Sequence, residues 1–307
     1  GVDNLCPYYD VKLKIDRIKQ IENYKNFKFI KSDLKDKEEV FNLFKETGFD
    51  YILHMAAQAG VRYSLKNPYQ YIDSNILSTV NLFEATKLYP TKHFVLASTS
   101  SVYGANKSIP FSVHHNVNHP ISLYAATKKS AELIAHTYSA LFNIPTTVLR
   151  FFTVYGPWGR PDMALFVFTK NIIEDKPIDV YNYGKMKRDF TYIDDVVESV
   201  VRIMKKIPQP DPNWDATNPD PATSFAPYKI YNVGNNQPVE LIRFIEIIEE
   251  CLGKKAKKNF LPLQPGDVVE TYADIDELVK DIGYKPQTPV EVGIKRFVEW
   301  YKDYYKI

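Results

Sequence analysis

The chain of 307 residues is short of several things. It has two cysteines, Cys6 and Cys251, far apart and outside any CxxC pattern. That excludes a disulfide framework or a thiolate metal site and favours a reducing compartment. Net charge is only +2, so no whole-chain field draws it to nucleic acid or a membrane surface. No apolar run is long enough to span a bilayer. No signal-peptide pattern is visible, and the cytoplasm is the expected location. His114, His115 and His119 share one loop at irregular spacing, with no carboxylate in register, so no metal is expected. There are twelve glycines, but none form GxGxxG or GxxGxxG. Gly156 and Gly159 come nearest, and Asp162 breaks the pattern.

Periodicity is well represented. In the first half, Phe27–Ile30, Tyr51–His54 and His93–Ala97 read as strands. Lys37 to Thr47, Ser74 to Lys87 and Tyr124 to Phe142 read as helices, and Thr146 to Phe151 as another strand. Short apolar strands separated by helices predict a doubly wound parallel sheet with helices on both faces. Residues 1–150 are expected to form a dinucleotide-binding domain, and 151–307 mainly a substrate-binding domain with segments returning to the first. In that second part, helices are expected at Leu165 to Glu174, Ile193 to Lys206, Leu241 to Leu252 and Val290 to Tyr304. Strands are expected at Ile178 to Tyr181 and Ile230 to Val233. Pro208 to Pro227 holds six prolines and reads as a loop. The run Lys254-Lys255-Ala256-Lys257-Lys258 reads as a solvated helix end, not a nucleic-acid patch.

The chemistry centres on Tyr124-Ala-Ala-Thr-Lys128. A spacing of four places the phenol and the ammonium on one helix face. The expected effect is a lowered Tyr124 pKa and a base near neutral pH. YxxxK alone is weak, since a surface tyrosine beside a solvated lysine has the same spelling. Upstream, a buried strand runs into Ala97-Ser98-Thr99-Ser100-Ser101-Val102-Tyr103-Gly104. Hydroxyls at a strand's C-terminal end lie where α/β sheets bind ligands.

Together these segments resemble the extended short-chain dehydrogenases/reductases that act on nucleotide sugars. The likeness extends through His54-Met-Ala-Ala-Gln58, Asn75, Leu149-Arg-Phe-Phe-Thr-Val-Tyr-Gly156 and Arg188-Asp-Phe-Thr-Tyr-Ile-Asp-Asp195, nearly the whole chain. Within the family it resembles the glucuronate 4-epimerase branch, through Val180 to Asp189, Tyr231 to Asn236, Leu263 to Asp267 and Trp158-Gly-Arg160. Gln264 stands where galactose-type epimerases usually carry Arg.

The resemblance implies bound NAD and a UDP-sugar substrate, UDP-glucuronate above others. It implies Thr99, Tyr124 and Lys128 as catalytic residues. Asp3, Asn4, Asp33, Leu34, Met55, Ala56, Ala57, Asn75, Ser98 and Phe151 would join Tyr124 and Lys128 at the cofactor. Ser100, Ser101, Thr153, Arg160, Val180, Tyr181, Arg188, Gln264 and Asp267 would meet the substrate. Asp3 would bind the adenosine ribose, with the glycine turn expected before residue 1. The apolar helices 74–88 and 124–142 imply a homodimer, and the family implies a place in polysaccharide synthesis. Alternatives are an epimerase of a neutral UDP-hexose, a decarboxylase or dehydratase, and a non-enzymatic NAD-binding protein. Dehydrating and decarboxylating relatives carry acids where Ser100 and Ser101 stand, which disfavours the second.

Overall fold

Alternating strands and helices carry the chain back and forth through two lobes in the computed structural model, which describes residues 1–307. The first half runs β1 (Val2–Asp3), α1 (Val11–Lys19), β2 (Ile30–Lys31), α2 (Lys37–Thr47), β3 (Tyr51–His54), α3 (Val61–Lys66) and α4 (Pro68–Tyr71). A π-helical segment, Ile72–Leu77, leads into α5 (Ser78–Leu88). Then come β4 (His93–Thr99), a 3₁₀ turn (Ser100–Tyr103), α6 (Leu123–Phe142) and β5 (Thr146–Phe151). The second half runs β6 (Thr153–Tyr155), α7 (Ala164–Ile173), β7 (Pro177–Val180), β8 (Lys187–Tyr192), α8 (Ile193–Met204) and β9 (Tyr228–Val233). It ends with β10 (Pro238–Glu240), α9 (Leu241–Leu252), β11 (Lys257–Phe260), α10 (Asp276–Ile282) and α11 (Val290–Tyr305).

The main sheet is parallel, in the order β3-β4-β5-β9. Strand β9 comes from the second half and completes the sheet of the first. Strands β1 and β2 form a separate parallel pair. Every residue of β4 is buried, so its side chains supply both faces. Phe94 and Leu96 pack on one side with Val40 and Phe44 of α2, Phe83 of α5 and Ala131 of α6. Val95 faces the other side, with Val196, Val200 and Ile203 of α8 and Leu278 of α10. A third core, around Phe190, Phe244, Ile294 and Phe297, fills the second lobe. The Phe190 and Phe244 rings stack there with centroids 4.0 Å apart.

Local chemistry sets the helix starts. The Asp36 carboxylate accepts from Glu39 N and caps α2, while Ser122 Oγ accepts from Ala125 N and caps α6. Several expectations need correction. The strand expected at 27–30 shrinks to Ile30–Lys31, because only the stretch from Ile30 to Ser32 finds a partner on β1. The lysine run is not a helix end: α9 stops at Leu252, and Lys257 and Lys258 lie in β11, paired with β7. Lys255 and Lys258 both bind the Glu249 carboxylate, and Lys254 pairs with Asp175 at 2.7 Å. Helix α1 was not expected at all. Its Leu13 joins the second-lobe core, and Arg17 donates to the Gly159 carbonyl at 3.1 Å. No helix is long and apolar enough to cross a membrane.

The proline-rich stretch 208–227 contains no helix or strand, and is pinned. Trp214 packs edge-on to Phe225, and His114 bridges Asp220 and Glu277 at 2.9 Å each. Burial lowers the His114 pKa, but the two carboxylates outweigh it and hold the ring above its ordinary 6.5. A raised folded pKa gives a contribution that is full below the unfolded value and lost as pH rises through the folded one. Limited proteolysis within 208–227 is therefore expected to be faster at about pH 8.5 than at about pH 6. A His114→Gln variant should lose that difference; an unchanged pH response in the variant would contradict the staple.

Candidate active site

The carboxyl ends of β1, β2 and β3 open onto a cleft. Its floor is the segment after β3, Met55 to Ala59, and its far wall is Asp3, Asn4, Ser32, Asp33 and Leu34. The open volume is about 840 Å³, and the cleft ends at Arg160. Asn4 Nδ2 donates to Asp33 Oδ2 at 3.1 Å, which joins the two turns that follow β1 and β2. Burial alone would raise the Asp33 pKa. Donation from Lys35 N and Asn4, with the Lys35 charge, outweighs it and holds the carboxyl below its ordinary value. The Asp3 carboxylate accepts from Leu5 N at 2.6 Å and has Lys14 at 3.6 Å.

The Tyr124–Lys128 pair lies at the start of α6. Thr99 ends β4 and caps the following 3₁₀ turn, its Oγ1 accepting from Ser101 N at 3.2 Å and donating to Ser101 Oγ at 3.2 Å. Gly104 closes that turn at φ +51°, where an added Cβ would stand 2.1 Å from the His119 carbonyl, so no other residue fits. The turn holds Thr99 beside the Tyr124 phenol.

The electrostatics differ from the sequence expectation. Burial pushes the Tyr124 phenol up, not down; the Thr99 hydroxyl and the Arg160 charge pull it back. Lys128 is not what lowers it. Burial brings the Lys128 ammonium down to about 8, and Glu132 opposes that shift. Lys128 is 4 % exposed and makes no hydrogen bond or ion pair in the protein.

Three residues expected at the cofactor lie behind the wall. Asn75 is buried; Oδ1 accepts from Gln58 N at 2.8 Å, and Nδ2 donates to Gln58 O and Thr127 Oγ1, both at 3.0 Å. Thr127 in turn donates to Tyr124 O at 2.9 Å. Asn75 thus ties the floor of the cleft to the helical turn of Tyr124, from within the π-helical segment. Ser98 points into the protein and donates to Glu132 at 2.6 Å. Phe151 packs with the α8-side core, outside the cleft lining.

The expected substrate residues divide in the same way. Thr153 and Arg160 share a pocket of about 380 Å³ with Tyr155, Met163 and Phe190. Arg160 is paired with Asp162 at 3.2 Å. Val180 is fully buried in the second-lobe core and offers no surface, a correction to its expected role. Tyr181 is half-buried: Arg62 lies 4.1 Å over its ring and pairs with Asp267 at 2.8 Å. The Arg188 guanidinium donates to the carbonyls of Lys187, Val268 and Val269, which takes three of its five N–H donors. Burial brings Arg188 down to about 10, with Arg62 adding to that and Asp267 opposing it. Gln264 is half-buried, its carbonyl accepting from Asp267 N at 3.1 Å.

Arg62 escaped the sequence reading. The signal was available, since it follows the β3 exit by a few residues, on the side where parallel sheets hold ligands. Its helix has only six residues and no clear apolar period.

The sheet order, the cleft and the Thr–Tyr–Lys grouping define an α/β protein that binds a dinucleotide at its strand ends. The chain belongs to the NAD dependent epimerase/dehydratase family, whose model matches residues 7–234. It is 55 % identical over 306 residues to Protein CapI of Staphylococcus aureus, covering 100 % of this chain and 91 % of that protein. It is 48 % identical over 310 residues to a probable UDP-glucuronate 4-epimerase of Rhizobium meliloti, covering 100 % and 90 %. Among solved structures, it matches UDP-glucuronic acid 4-epimerase from Bacillus cereus in complex with UDP-glucuronic acid and NAD. That match has a TM-score of 0.87 at 33 % identity and covers 99 % of this chain and 91 % of the other.

The residues present fit NAD. A buried ammonium with three unused donors suits a ribose diol. The carboxylate of Asp3 at the cleft edge suits the hydroxyls of the other ribose and repels a phosphate there.

Asn75→Ala is expected to cost about 2–3 kcal/mol, because both main-chain groups of Gln58 lose their partner. Thermal unfolding measures this directly; a midpoint unchanged within error would contradict the role assigned to Asn75.

Proposed function

We propose that this protein is a UDP-glucuronate 4-epimerase, converting UDP-glucuronate to UDP-galacturonate with bound NAD. The observation that carries the reading is that the Thr99 hydroxyl and the Arg160 charge both act on the Tyr124 phenol, with two serines rather than acids following Thr99. The similarity to the glucuronate epimerases supports it.

NAD, when bound, supplies a ring that takes a hydride from carbon and gives it back. The protein's part is proton transfer and orientation. Tyr124 takes the proton of the sugar 4-OH, with the Thr99 hydroxyl bridging, and C4 becomes a carbonyl. The Thr99 hydroxyl and the Arg160 charge steady the phenolate in that state. The 4-keto sugar turns in the cleft and presents its other face, Tyr124 returns the proton, and C4 emerges inverted. No net oxidation occurs. Ser100 and Ser101 cannot act as the acid and base that elimination across C5 and C6 needs at ordinary pH.

A 4-keto uronic acid is a β-keto acid and loses CO2 readily when its C–C bond aligns with the carbonyl π system. Thr153 and Arg160 hold the carboxylate out of that alignment. Arg160 would exchange Asp162 for the substrate carboxylate, a charge-assisted donor in either state. Arg62 and Arg188 lie close enough to influence each other and give the Tyr181 side of the cleft a positive field for the diphosphate. The enzyme is further assigned to the cytoplasm, as a homodimer that supplies a uronic acid donor for polysaccharide synthesis. Exposed Leu77, Leu88, Leu133 and Leu141 on the π–α5 and α6 helices are the surface offered for pairing.

Three outcomes test this. Proton NMR of UDP-glucuronate with the purified protein should show UDP-galacturonate accumulating. Tyr124→Phe should lose about 10²–10⁴-fold in kcat with KM little changed. Arg160→Ala should raise KM or release the decarboxylated pentose. Wild-type turnover in Tyr124→Phe would sink the base assignment, and unchanged kinetics without pentose would remove Arg160 from the carboxylate.

A further inference from the structure

Arg160 enters the cleft with most of its donors uncommitted. Its one directed hydrogen bond in the protein runs from Nη2 to the Met163 thioether at 3.3 Å, a weak acceptor. Its counter-charge is Asp162, whose Oδ2 stands 3.2 Å from the same nitrogen. The two side chains are 32 % and 27 % exposed, so the pair is loose and contributes little by itself. Arg150 and Arg188 differ, since directed bonds tie them to a carboxylate or to carbonyls.

Asp162 has a second partner from the other lobe. Tyr8, on the turn after β1, donates its hydroxyl to the same Oδ2 at 3.3 Å. Burial, then the Asp162 charge, push the Tyr8 phenol up to about 12, so it stays a donor. Tyr8 lines the cleft together with Asp3, Asn4 and Arg160. The main chain just before Arg160 is fixed. Trp158 holds φ +62°, with its ring centroid 5.3 Å from that of Trp300 and 5.2 Å from that of Tyr304, both on α11. Arg17 of α1 donates to the Gly159 carbonyl at 3.1 Å. The part free to move is therefore the Arg160 side chain, between a loosely held resting place and a ligand in the cleft.

Inversion at C4 sets a demand on that side chain. The keto sugar has to turn, so a carboxylate gripped on entry has to be released in mid-cycle. Separating two opposite charges without a replacement opposes that release. A carboxylate of the protein within reach supplies the replacement. We propose that Asp162 is a positioning residue that relays Arg160: it holds the guanidinium while the cleft is empty and again while the sugar turns, and Tyr8 satisfies Asp162 whenever Arg160 is on the substrate. The inference rests on the reading of Arg160 as the partner of the substrate carboxylate. Asp162 thereby weakens the grip on the bound sugar and speeds its turn.

The test uses Asp162→Asn, Asp162→Glu and Tyr8→Phe as holoenzymes. Calorimetry measures binding of UDP-glucuronate and of UDP-glucose, with Tyr124→Phe added to each protein so that turnover does not interfere. Turnover of UDP-glucuronate is followed without that addition. Asp162→Asn should bind UDP-glucuronate about two- to five-fold tighter, the range for one exposed ion pair, and UDP-glucose as before. Its kcat and KM should fall together, the mark of a ground state held too well. Reduced cofactor, seen by its near-ultraviolet absorbance, should build up during turnover. Asp162→Glu should return kcat towards the parent value. Tyr8→Phe should weaken UDP-glucuronate binding alone, because Asp162 is left without a partner when Arg160 leaves it. UDP-glucuronate bound no tighter by Asp162→Asn, an equal change for both sugars, or parent kcat in that variant overturns this inference alone. If Asp162→Asn does not fold, Tyr8→Phe decides, and any result other than a loss confined to UDP-glucuronate rules the relay out. A parent enzyme that forms no UDP-galacturonate would instead remove the proposed function, and the inference with it.

Discussion

Arg150 and Glu132 are both completely withdrawn from water, and each is neutralised by the other through two parallel hydrogen bonds. Leaving either alone in the interior costs about 3–5 kcal/mol, so the two are kept or lost together. The pair sits where the central strands β4 and β5 meet α6. Arg150 continues the chain of contacts through Tyr103, which donates to Asn232 on β9 at 2.7 Å. Asn232 donates in turn to the carbonyls of Phe111 and Asp274. One polar thread thus crosses the main sheet under the cleft, and every group along it has a partner. A fully satisfied buried network resists shear between the strands it joins.

That rigidity explains the division of labour between the halves. The cofactor side is built on fixed parts: strand ends, the Asn75 bracket and the capped start of α6. The second lobe supplies residues on connections, namely Arg160 after β6, Tyr181 after β7 and Asp267 on the stretch before α10. Loops held on a rigid frame are the usual carriers of specificity. Arg62 joins the two sides through Tyr181 and Asp267, so the cleft is bridged across its mouth as well as along its floor. On the proposed reading, one cofactor site can serve varied sugars, because the parts proposed to meet the sugar are the parts least bound into the sheet.

Much of this was legible in the sequence. Apolar periods marked α2, α6 and α9, and short apolar runs marked β3, β4 and β5. Less was legible where pairing is decided by distant partners. The strand Lys187–Tyr192 has no apolar period and exists because β6 and β10 lie on either side of it. Helix α1 spaces Val11, Leu13 and Ile15 by two, which is the period of a strand and not of a helix. At the site, the motif order singled out Thr99, Tyr124 and Lys128, and Thr99 lies beside the Tyr124 phenol. It did not give side-chain direction. Ser98 and Thr99 are neighbours on a strand and face opposite ways, so Ser98 meets Glu132 while Thr99 meets Tyr124. Arg150 and Phe151 divide likewise, and Val180 turns inward for the same reason. The sign of the Tyr124 shift was also hidden, because spacing reports an ammonium nearby but not the burial that opposes it.

The central claim is that C4 of the sugar is oxidised and re-reduced within one closed cleft. The most direct measurement is turnover of UDP-glucuronate deuterated at C4, in ordinary water, with the product followed by NMR and mass spectrometry. The account predicts inverted UDP-galacturonate that keeps its deuterium at C4. Product that has lost the label to solvent, or that carries inversion without any event at C4, would contradict it.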